Sequence, residues 1–199
     1  IIAIDDAPIA HWSAVVELPA GEVGEITVAG PTTTDSYFNR EAATIAAKIV
    51  EVRADGGEQV VHRMGDVGYF DAEGRLWFCG RKTQRVQAAD RALYTEQVEP
   101  VFNAHPQVRR TALVGVGVPG AQRPVLCVEL AAGVDAGQFQ RIQGELRTLA
   151  AAHAHTAPVA TFLRHPGFPV DIRHNAKIGR EKLAAWAGAA LSAGSGGAA

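Results

Sequence analysis

The hydrophobic pattern divides the chain into two parts of different character. In the first part, up to about residue 85, short apolar runs alternate with turn residues, which is typical of strands joined by tight turns. The pattern predicts strands over 11–18 and 24–29 and a hairpin over 69–79. Asn39 is predicted to cap a short, alanine-rich helix. The first part is therefore predicted to be β-rich.

In the second part, helices and strands alternate. Apolar residues recur every three or four positions after Thr95 and again over 139–149, which predicts two amphipathic helices. The other predicted elements are strands over 108–118, 125–130 and 159–163 and a final helix over 179–191. The sequence thus predicts an α+β protein with a β-rich domain over 1–82, a smaller α+β domain over 83–191 and a disordered tail over 192–199.

Composition excludes several classes of protein. The chain has 199 residues, 47% of them apolar, and a formal net charge of −2, so a core is predicted and a nucleic-acid partner is not. No apolar run is long enough to span a membrane. Cys79 and Cys127 lie in predicted strands, outside any Cys/His cluster, which excludes a disulfide scaffold and predicts no metal site. Reduced cysteines favour a cytoplasmic location.

The first candidate for chemistry is Asp66, which lies between Gly65 and Gly68. Glycines on both sides indicate a carboxylate on a tight, exposed backbone, where it can accept hydrogen bonds from a vicinal diol such as a ribose. The simpler interpretation is a turn residue beside a hairpin. The residues alone leave both interpretations open.

Two cations form the other candidates. Arg81 follows Gly80 at the end of the predicted hairpin, from where it can reach a ribose or a phosphate, or simply extend into solvent. Lys177 precedes the last predicted helix and is one of only four lysines in an arginine-rich chain. A lysine on a flexible stem suits the neutralisation of a carboxylate or phosphate oxygen, although a solvated cation is the alternative here too.

The order of these clusters resembles that in adenylate-forming enzymes, the superfamily of acyl-CoA synthetases, adenylation domains and luciferases. Residues 24–39 resemble its "GEI…G…GYxN" segment, residues 62–81 its "YRTGDLG…DG…GR" motif and residues 168–180 its "LP…GKIxR" motif. The resemblance covers about residues 9–187. It implies a distorted, barrel-like β-rich subdomain of a large N-terminal domain, followed by a mobile α+β C-terminal domain.

The resemblance also implies roles for single residues. Asp66 would bind the ribose hydroxyls of ATP, and Arg81 would support the same ribose or a phosphate. Lys177 would bridge the substrate carboxylate and the α-phosphate. Thr83 stands at the hinge of the mobile domain, where Asp or Lys is usual. ATP with Mg²⁺ is the implied cofactor.

Departures from the family motifs restrict the range of reactions that the resemblance implies. Asp90 stands where thioester-forming members have a glycine, and Ala92 where they have Arg or Gln, which argues against coenzyme A. Residues 62–86 and 168–187 are most similar to the olefin-biosynthesis branch. That branch closes a 2-alkyl-3-hydroxy fatty acid to a β-lactone, with release of AMP and pyrophosphate, and it works beside other enzymes of the hydrocarbon pathway.

Two alternatives stay open: a fatty-acyl-CoA synthetase or acyl-AMP ligase, and a non-catalytic interaction module. The family's Ser/Thr/Gly-rich phosphate loop and its "YGxTE" motif do not occur in residues 1–199. The chain also starts within a predicted strand and without Met. It is therefore expected to be the C-terminal third of an enzyme and to be inactive by itself.

Overall fold

The computed structural model describes residues 1–171 and 174–195, and the chain divides into two compact units, Ile1–Thr83 and Gln84–Ala199. The helices and strands, in chain order, are β1 (Gly24–Val28), α1 (Glu41–Ala47), β2 (Lys48–Val52), β3 (Glu58–Phe70), β4 (Leu76–Arg81), β5 (Val86–Gln87), β6 (Ala92–Leu93), α2 (Thr95–Asn103), β7 (Val108–Val116), β8 (Arg123–Leu130), α3 (Phe139–Ala151), β9 (Thr161–Arg164), β10 (Val170–Asp171), β11 (His174–Ile178) and α4 (Arg180–Ser195). This mixture of helices and sheets confirms the predicted α+β class.

The first unit is built around the long strand β3. Strand β1 pairs antiparallel with one edge of β3, and β2 and β4 pair with successive parts of the other edge. The strands described for this unit form an open sheet and not a closed barrel. Ile2, Ile9, Ile49 and Val61 form its buried apolar cluster.

The second unit places helices on both faces of the sheet β7–β8–β9. Strands β7 and β8 are antiparallel, and β9 runs parallel to β8 after the α3 crossover. Side chains alternate between the two faces of each strand, and Leu113 and Leu126 lie on the face that packs in the core with α2 and α3. Val114 and Val125 point the other way, into a second core with Leu183 of α4. Apolar side chains on both faces of these strands therefore form two apolar layers, one on each side of the sheet.

The predicted strand over 11–18 is wrong. A 3-10 turn occupies Trp12–Ala14, and His11 and Glu17 make only isolated bridges. Trp12 and Val15, three positions apart, both pack on the apolar cluster of the first unit. A spacing of three places residues on the same side of a helical turn, whereas a strand would turn them to opposite sides.

Smaller differences concern the ends of helices and strands. Arg40, and not Asn39, is the N-cap of α1, while Asn39 has a left-handed backbone with φ of 50°. The strand predicted over 159–163 lies at Thr161–Arg164. Helix α4 runs to Ser195, into the segment predicted to be a disordered tail, because its alanines favour a helix. Residues 196–199 lie outside the described residues.

Both cysteines are core residues. Cys79 and Cys127 are buried and free. Burial raises the pKa of the Cys79 thiol to about 11 and that of the Cys127 thiol to about 12. Both thiols are therefore protonated at neutral pH and have little nucleophilic character.

Candidate functional site

The structure brings Asp66 and Arg81 together at one position of the sheet. They are directly opposite each other on the antiparallel strands β3 and β4. The glycine before each of them has a positive φ, 67° at Gly65 and 129° at Gly80. A Cβ at Gly65 would meet no atom within 4 Å, so the backbone conformation and not space requires glycine there. These two glycines shape the backbone that presents the pair.

The Asp66 carboxylate forms an ion pair with Arg81 and keeps capacity to accept a further hydrogen bond. Arg81 Nη1 lies 2.9 Å from Asp66 Oδ1, and the exposed fractions of the two side chains are 59% and 19%. The approach lacks hydrogen-bond geometry, and Asp66 Oδ1 is buried without a hydrogen-bond donor. The ion pair with Arg81 stabilises this oxygen, and its remaining lone pair can accept a hydrogen bond from a ligand hydroxyl. The exposed Arg81 can at the same time attract an anionic group.

A buried cluster of charges, Glu25, Arg63 and Lys82, supports the same strands. Arg63 Nη2 donates to Glu25 Oε2 at 2.7 Å, and the two side chains are 2% and 1% exposed. Lys82 Nζ donates to the same oxygen at 3.1 Å and to the Asp5 carbonyl at 3.0 Å. Arg63 also donates to the carbonyl of Ala7 at 2.8 Å. The cluster thus fixes the N-terminal segment against β3 and anchors the residue that follows Arg81.

Sequence reasoning missed this cluster. The available signal was the period of two along β3, which places Arg63 on the buried face between Val61 and Val67. An arginine on a buried face requires a carboxylate partner. Glu25, within the apolar strand β1, was the candidate that the pattern offered.

An open pocket of about 430 Å³ adjoins this cluster. Met64 and Gly65, which precede Asp66, form part of its lining, and Lys82 contributes a cation. Tyr37 and Arg40 come from the segment before α1. The pocket therefore has cationic and aromatic side chains in its lining and reaches Gly65, while Asp66 and Arg81 themselves do not line it.

The other two predicted site residues are Thr83, at the end of the first unit, and Lys177, in the second unit. Thr83 is exposed in the 3-10 turn Lys82–Gln84. Lys177 is exposed on β11, in the second unit. The hinge role of Thr83 and the catalytic role of Lys177 stay predictions.

The loop predicted to disfavour coenzyme A is a tight hairpin between β5 and β6. The Ala88 N–H donates to the Arg91 carbonyl at 2.9 Å, which closes the turn. Asp90 is exposed, and a hydrogen bond from the Arg91 guanidinium lowers the pKa of its carboxyl. Asp90 therefore places a negative charge at the tip of this hairpin at neutral pH.

Residues 1–171 and 174–195 contain no group of three or more His, Cys, Asp or Glu side chains that could hold a metal ion. Nor does this part of the chain form a helix long and apolar enough to cross a membrane.

Curated relatives share high sequence identity with the chain. It is 74% identical over 187 residues to an olefin β-lactone synthetase from Xanthomonas campestris pv. campestris, a match that covers 94% of this chain and 34% of the relative. The olefin β-lactone synthetase of Stenotrophomonas maltophilia is 69% identical over 191 residues, with 96% and 34% covered. The chain therefore spans about a third of the length of these relatives. No family model matches it.

Solved structures share the fold. The amide bond synthetase McbA from Marinactinospora thermotolerans gives a TM-score of 0.67 at 28% identity, over 90% of this chain and 34% of that one. The o-succinylbenzoate CoA synthetase MenE from Bacillus subtilis, in complex with an acyl-adenylate intermediate, gives 0.60 at 28% identity, over 88% and 33%. MenE has also been solved with ATP and a magnesium ion.

The fold, the motifs and these relatives define the class. The chain is similar in sequence and fold to enzymes of the adenylate-forming superfamily. Within that superfamily it is similar over nearly its whole length to the olefin β-lactone synthetases.

Proposed function

We propose that this chain forms part of an ATP-dependent synthetase that activates a 2-alkyl-3-hydroxy fatty acid as its adenylate and closes it to a β-lactone. The observation that carries the proposal is the 74% identity to an olefin β-lactone synthetase across 94% of the chain. The unsatisfied buried oxygen of Asp66 supports it independently, because it suits a hydroxyl donor such as a ribose.

The proposed reaction has two steps. A carboxylate oxygen of the acid attacks the α-phosphorus of ATP, the bond to pyrophosphate breaks, and an acyl-adenylate forms. The 3-hydroxyl oxygen of the same molecule then attacks the acyl carbon and loses its proton, while the bond between that carbon and the AMP oxygen breaks. The nucleophile of the second step is part of the substrate, so its effective concentration is high and no second substrate is needed.

The named residues have distinct proposed roles. Asp66 accepts hydrogen bonds from the ribose, with Arg81 beside it to neutralise charge on ribose or phosphate. Lys177 stabilises the negative charge that develops between the carboxylate and the α-phosphate. Thr83 is the proposed hinge, about which the second domain turns between the two steps. The two proposed domains are residues 1–82 and residues 83–191.

Magnesium is expected as the partner of ATP only because the resemblance to the family implies it. MenE has been solved with ATP and a magnesium ion. The described residues of this chain contain no cluster of metal-ligating side chains, so they do not fit a metal held by the protein, and no step is assigned to the ion.

Coenzyme A has no part in the proposed reaction. The exposed Asp90 would repel the phosphates of coenzyme A, and the internal hydroxyl replaces an external thiol.

The likeness to MenE, which is a CoA synthetase, favours the alternative of a fatty-acyl-CoA synthetase or acyl-AMP ligase. A non-catalytic module that docks other enzymes of the hydrocarbon pathway is the alternative of another class. We also propose a cytoplasmic location, because free cysteines are typical of reducing compartments and both cysteines of this chain are free.

A chimera tests this function directly. In it, the chain replaces the matching third of the Xanthomonas campestris relative. With ATP and a 2-alkyl-3-hydroxy fatty acid, and without coenzyme A, we expect AMP, pyrophosphate and the β-lactone, detected by mass spectrometry. The isolated chain serves as the control and is expected to release no pyrophosphate.

The same assay separates the alternatives. A thioester formed with a plain fatty acid and coenzyme A, without any lactone from the hydroxy acid, would favour the CoA synthetase. A folded chimera that forms no adenylate from either acid would favour the interaction module.

Replacing Asp66 by asparagine in the chimera is expected to raise the KM for ATP by about tenfold or more, since a hydrogen bond to a charged group contributes about 1.5–3 kcal/mol. Steady-state pyrophosphate release at varied ATP measures this. The exposed Glu73, in the adjoining turn, gives the matched control Glu73→Gln, which should leave the KM for ATP unchanged. An unchanged KM in Asp66→Asn would remove Asp66 from nucleotide binding.

A further inference from the structure

A forked ion pair anchors the first residue of helix α4. Two guanidinium nitrogens of Arg180, Nη1 and Nη2, donate to the two carboxylate oxygens of Glu99, and the Nη2 to Oε2 distance is 3.0 Å. The exposed fractions of the two side chains are only 15% and 9%. Such paired, parallel hydrogen bonds fix direction as well as distance. Arg180 is therefore held rigidly against α2.

The same guanidinium joins further parts of the second unit. Glu99 Oε1 also accepts the backbone N–H of Leu113 on β7 at 2.7 Å. Arg180 Nε donates to Gln84 Oε1 at 3.1 Å. Burial raises the pKa of the Glu99 carboxyl, against the opposing effect of Arg180. One side chain thus ties the start of α4 to α2, to β7 and to the residue that follows Thr83.

Lys177 stands three residues before this anchor, on the strand β11. Strand β11 pairs in the described part of the chain with the short strand β10, through a bulged register in which Val170 faces Ile178. The Gly179 N–H donates to the Pro169 carbonyl at 2.7 Å. A two-stranded hairpin is only marginally stable by itself, so contacts at its ends contribute to holding it. The Arg180 anchor holds the end nearest to Lys177.

We propose that Glu99 and Arg180 are positioning residues for Lys177. Their ion pair fixes the backbone next to Lys177, so that its ammonium group stands where charge develops during adenylation. The inference rests on the proposed function, because it needs Lys177 to act in the adenylation step. A displacement of about 1 Å at such a group can slow a reaction by about 100-fold.

In the chimera, Arg180→Met and Glu99→Gln are expected to lower kcat for pyrophosphate release by about 10- to 100-fold, with little change in the KM for ATP. Arg180→Lys keeps the positive charge but not the paired hydrogen bonds, and it is expected to recover part of the loss. Lactone closure from a supplied acyl-adenylate should stay normal in all three variants, because that step does not need Lys177. A variant that is merely misfolded would lose both steps.

Glu145→Gln is the matched control. Glu145 is a carboxylate of the same unit that pairs with His105 Nε2 at 2.8 Å and with Arg141, away from α4. It is expected to leave adenylation unchanged. Normal pyrophosphate release in folded Glu99→Gln and Arg180→Lys, or an equal loss of both steps, would overturn the positioning role.

A second readout does not depend on activity. In the isolated 199-residue chain, hydrogen exchange of the Gly179 amide is expected to become about 10-fold faster in Arg180→Lys, because the fork no longer holds the adjoining backbone. Unchanged exchange would overturn the anchoring itself. Failure of the proposed function appears separately, as an unmodified chimera that releases no pyrophosphate while the exchange result still holds.

Discussion

Replacing Lys177 by alanine in the chimera is expected to slow pyrophosphate release by about 100-fold or more, the usual loss when one charge-stabilising group is removed. The carboxylate and the α-phosphate are both negative, so their approach needs a cation in the transition state. Lys177 is exposed on β11 and carries such a charge on a flexible stem. The KM for ATP should change much less than kcat, because the proposed ribose contacts are those of Asp66 and Arg81. Single-turnover pyrophosphate release measures the step itself.

Lys182→Ala is the control for this variant. Lys182 is also exposed, on α4, and lies five positions further along the chain. Its loss removes the same charge from the same unit and is expected to leave adenylation unchanged. An adenylation rate in Lys177→Ala equal to that of the Lys182→Ala control would exclude Lys177 from the chemistry.

Replacing Arg63 by methionine is expected to lower the free energy of unfolding of the first unit by about 3 kcal/mol or more. The substitution leaves the buried Glu25 with Lys82 as its remaining cationic partner. It also removes a donor from the part-buried carbonyl hydrogen bonds to Ala7 and Ala46, while the Asp5 carbonyl keeps Lys82 Nζ as a donor. The effect should therefore be large although neither Asp66 nor Arg81 is altered.

Tryptophan fluorescence can follow the first unit by itself. Trp12 and Trp77 belong to it, and Trp186 lies in the second unit, so a Trp186→Phe background removes the other signal. Urea titration in that background gives the free energy of unfolding. Arg53→Met is the control, since Arg53 pairs with Asp55 at the surface and is expected to cost less than about 1 kcal/mol. Equal midpoints for Arg63→Met and Arg53→Met would show that the buried cluster contributes no stability.

Periodicity predicted the second unit better than the first. Helices α2 and α3 and strands β7 and β8 each bury one face, so their apolar spacing is regular and easily recognised. The segment 11–18 has a continuous apolar run, and the contacts of Trp12 with distant residues decide its turn. Such long-range packing leaves no local signal.

The candidate site was predictable in part. The glycines around Asp66 predicted a tight backbone there, and the structure shows a positive φ at Gly65. The acceptor left free on Asp66 depends on the direction from which Arg81 approaches, which no spacing encodes. The fork between Glu99 and Arg180 joins residues far apart in the chain, so sequence alone offered no way to pair them.

The central claim is that an acyl-adenylate forms on the way to the lactone, and transfer of heavy oxygen tests it most directly. The chimera is incubated with ATP and a 2-alkyl-3-hydroxy fatty acid that carries oxygen-18 in both carboxyl positions. If the acid attacks the α-phosphorus, one labelled oxygen leaves with AMP and the other stays as the lactone carbonyl. We therefore expect labelled AMP in an amount equal to the lactone. Lactone accompanied by unlabelled AMP would contradict an acyl-adenylate intermediate.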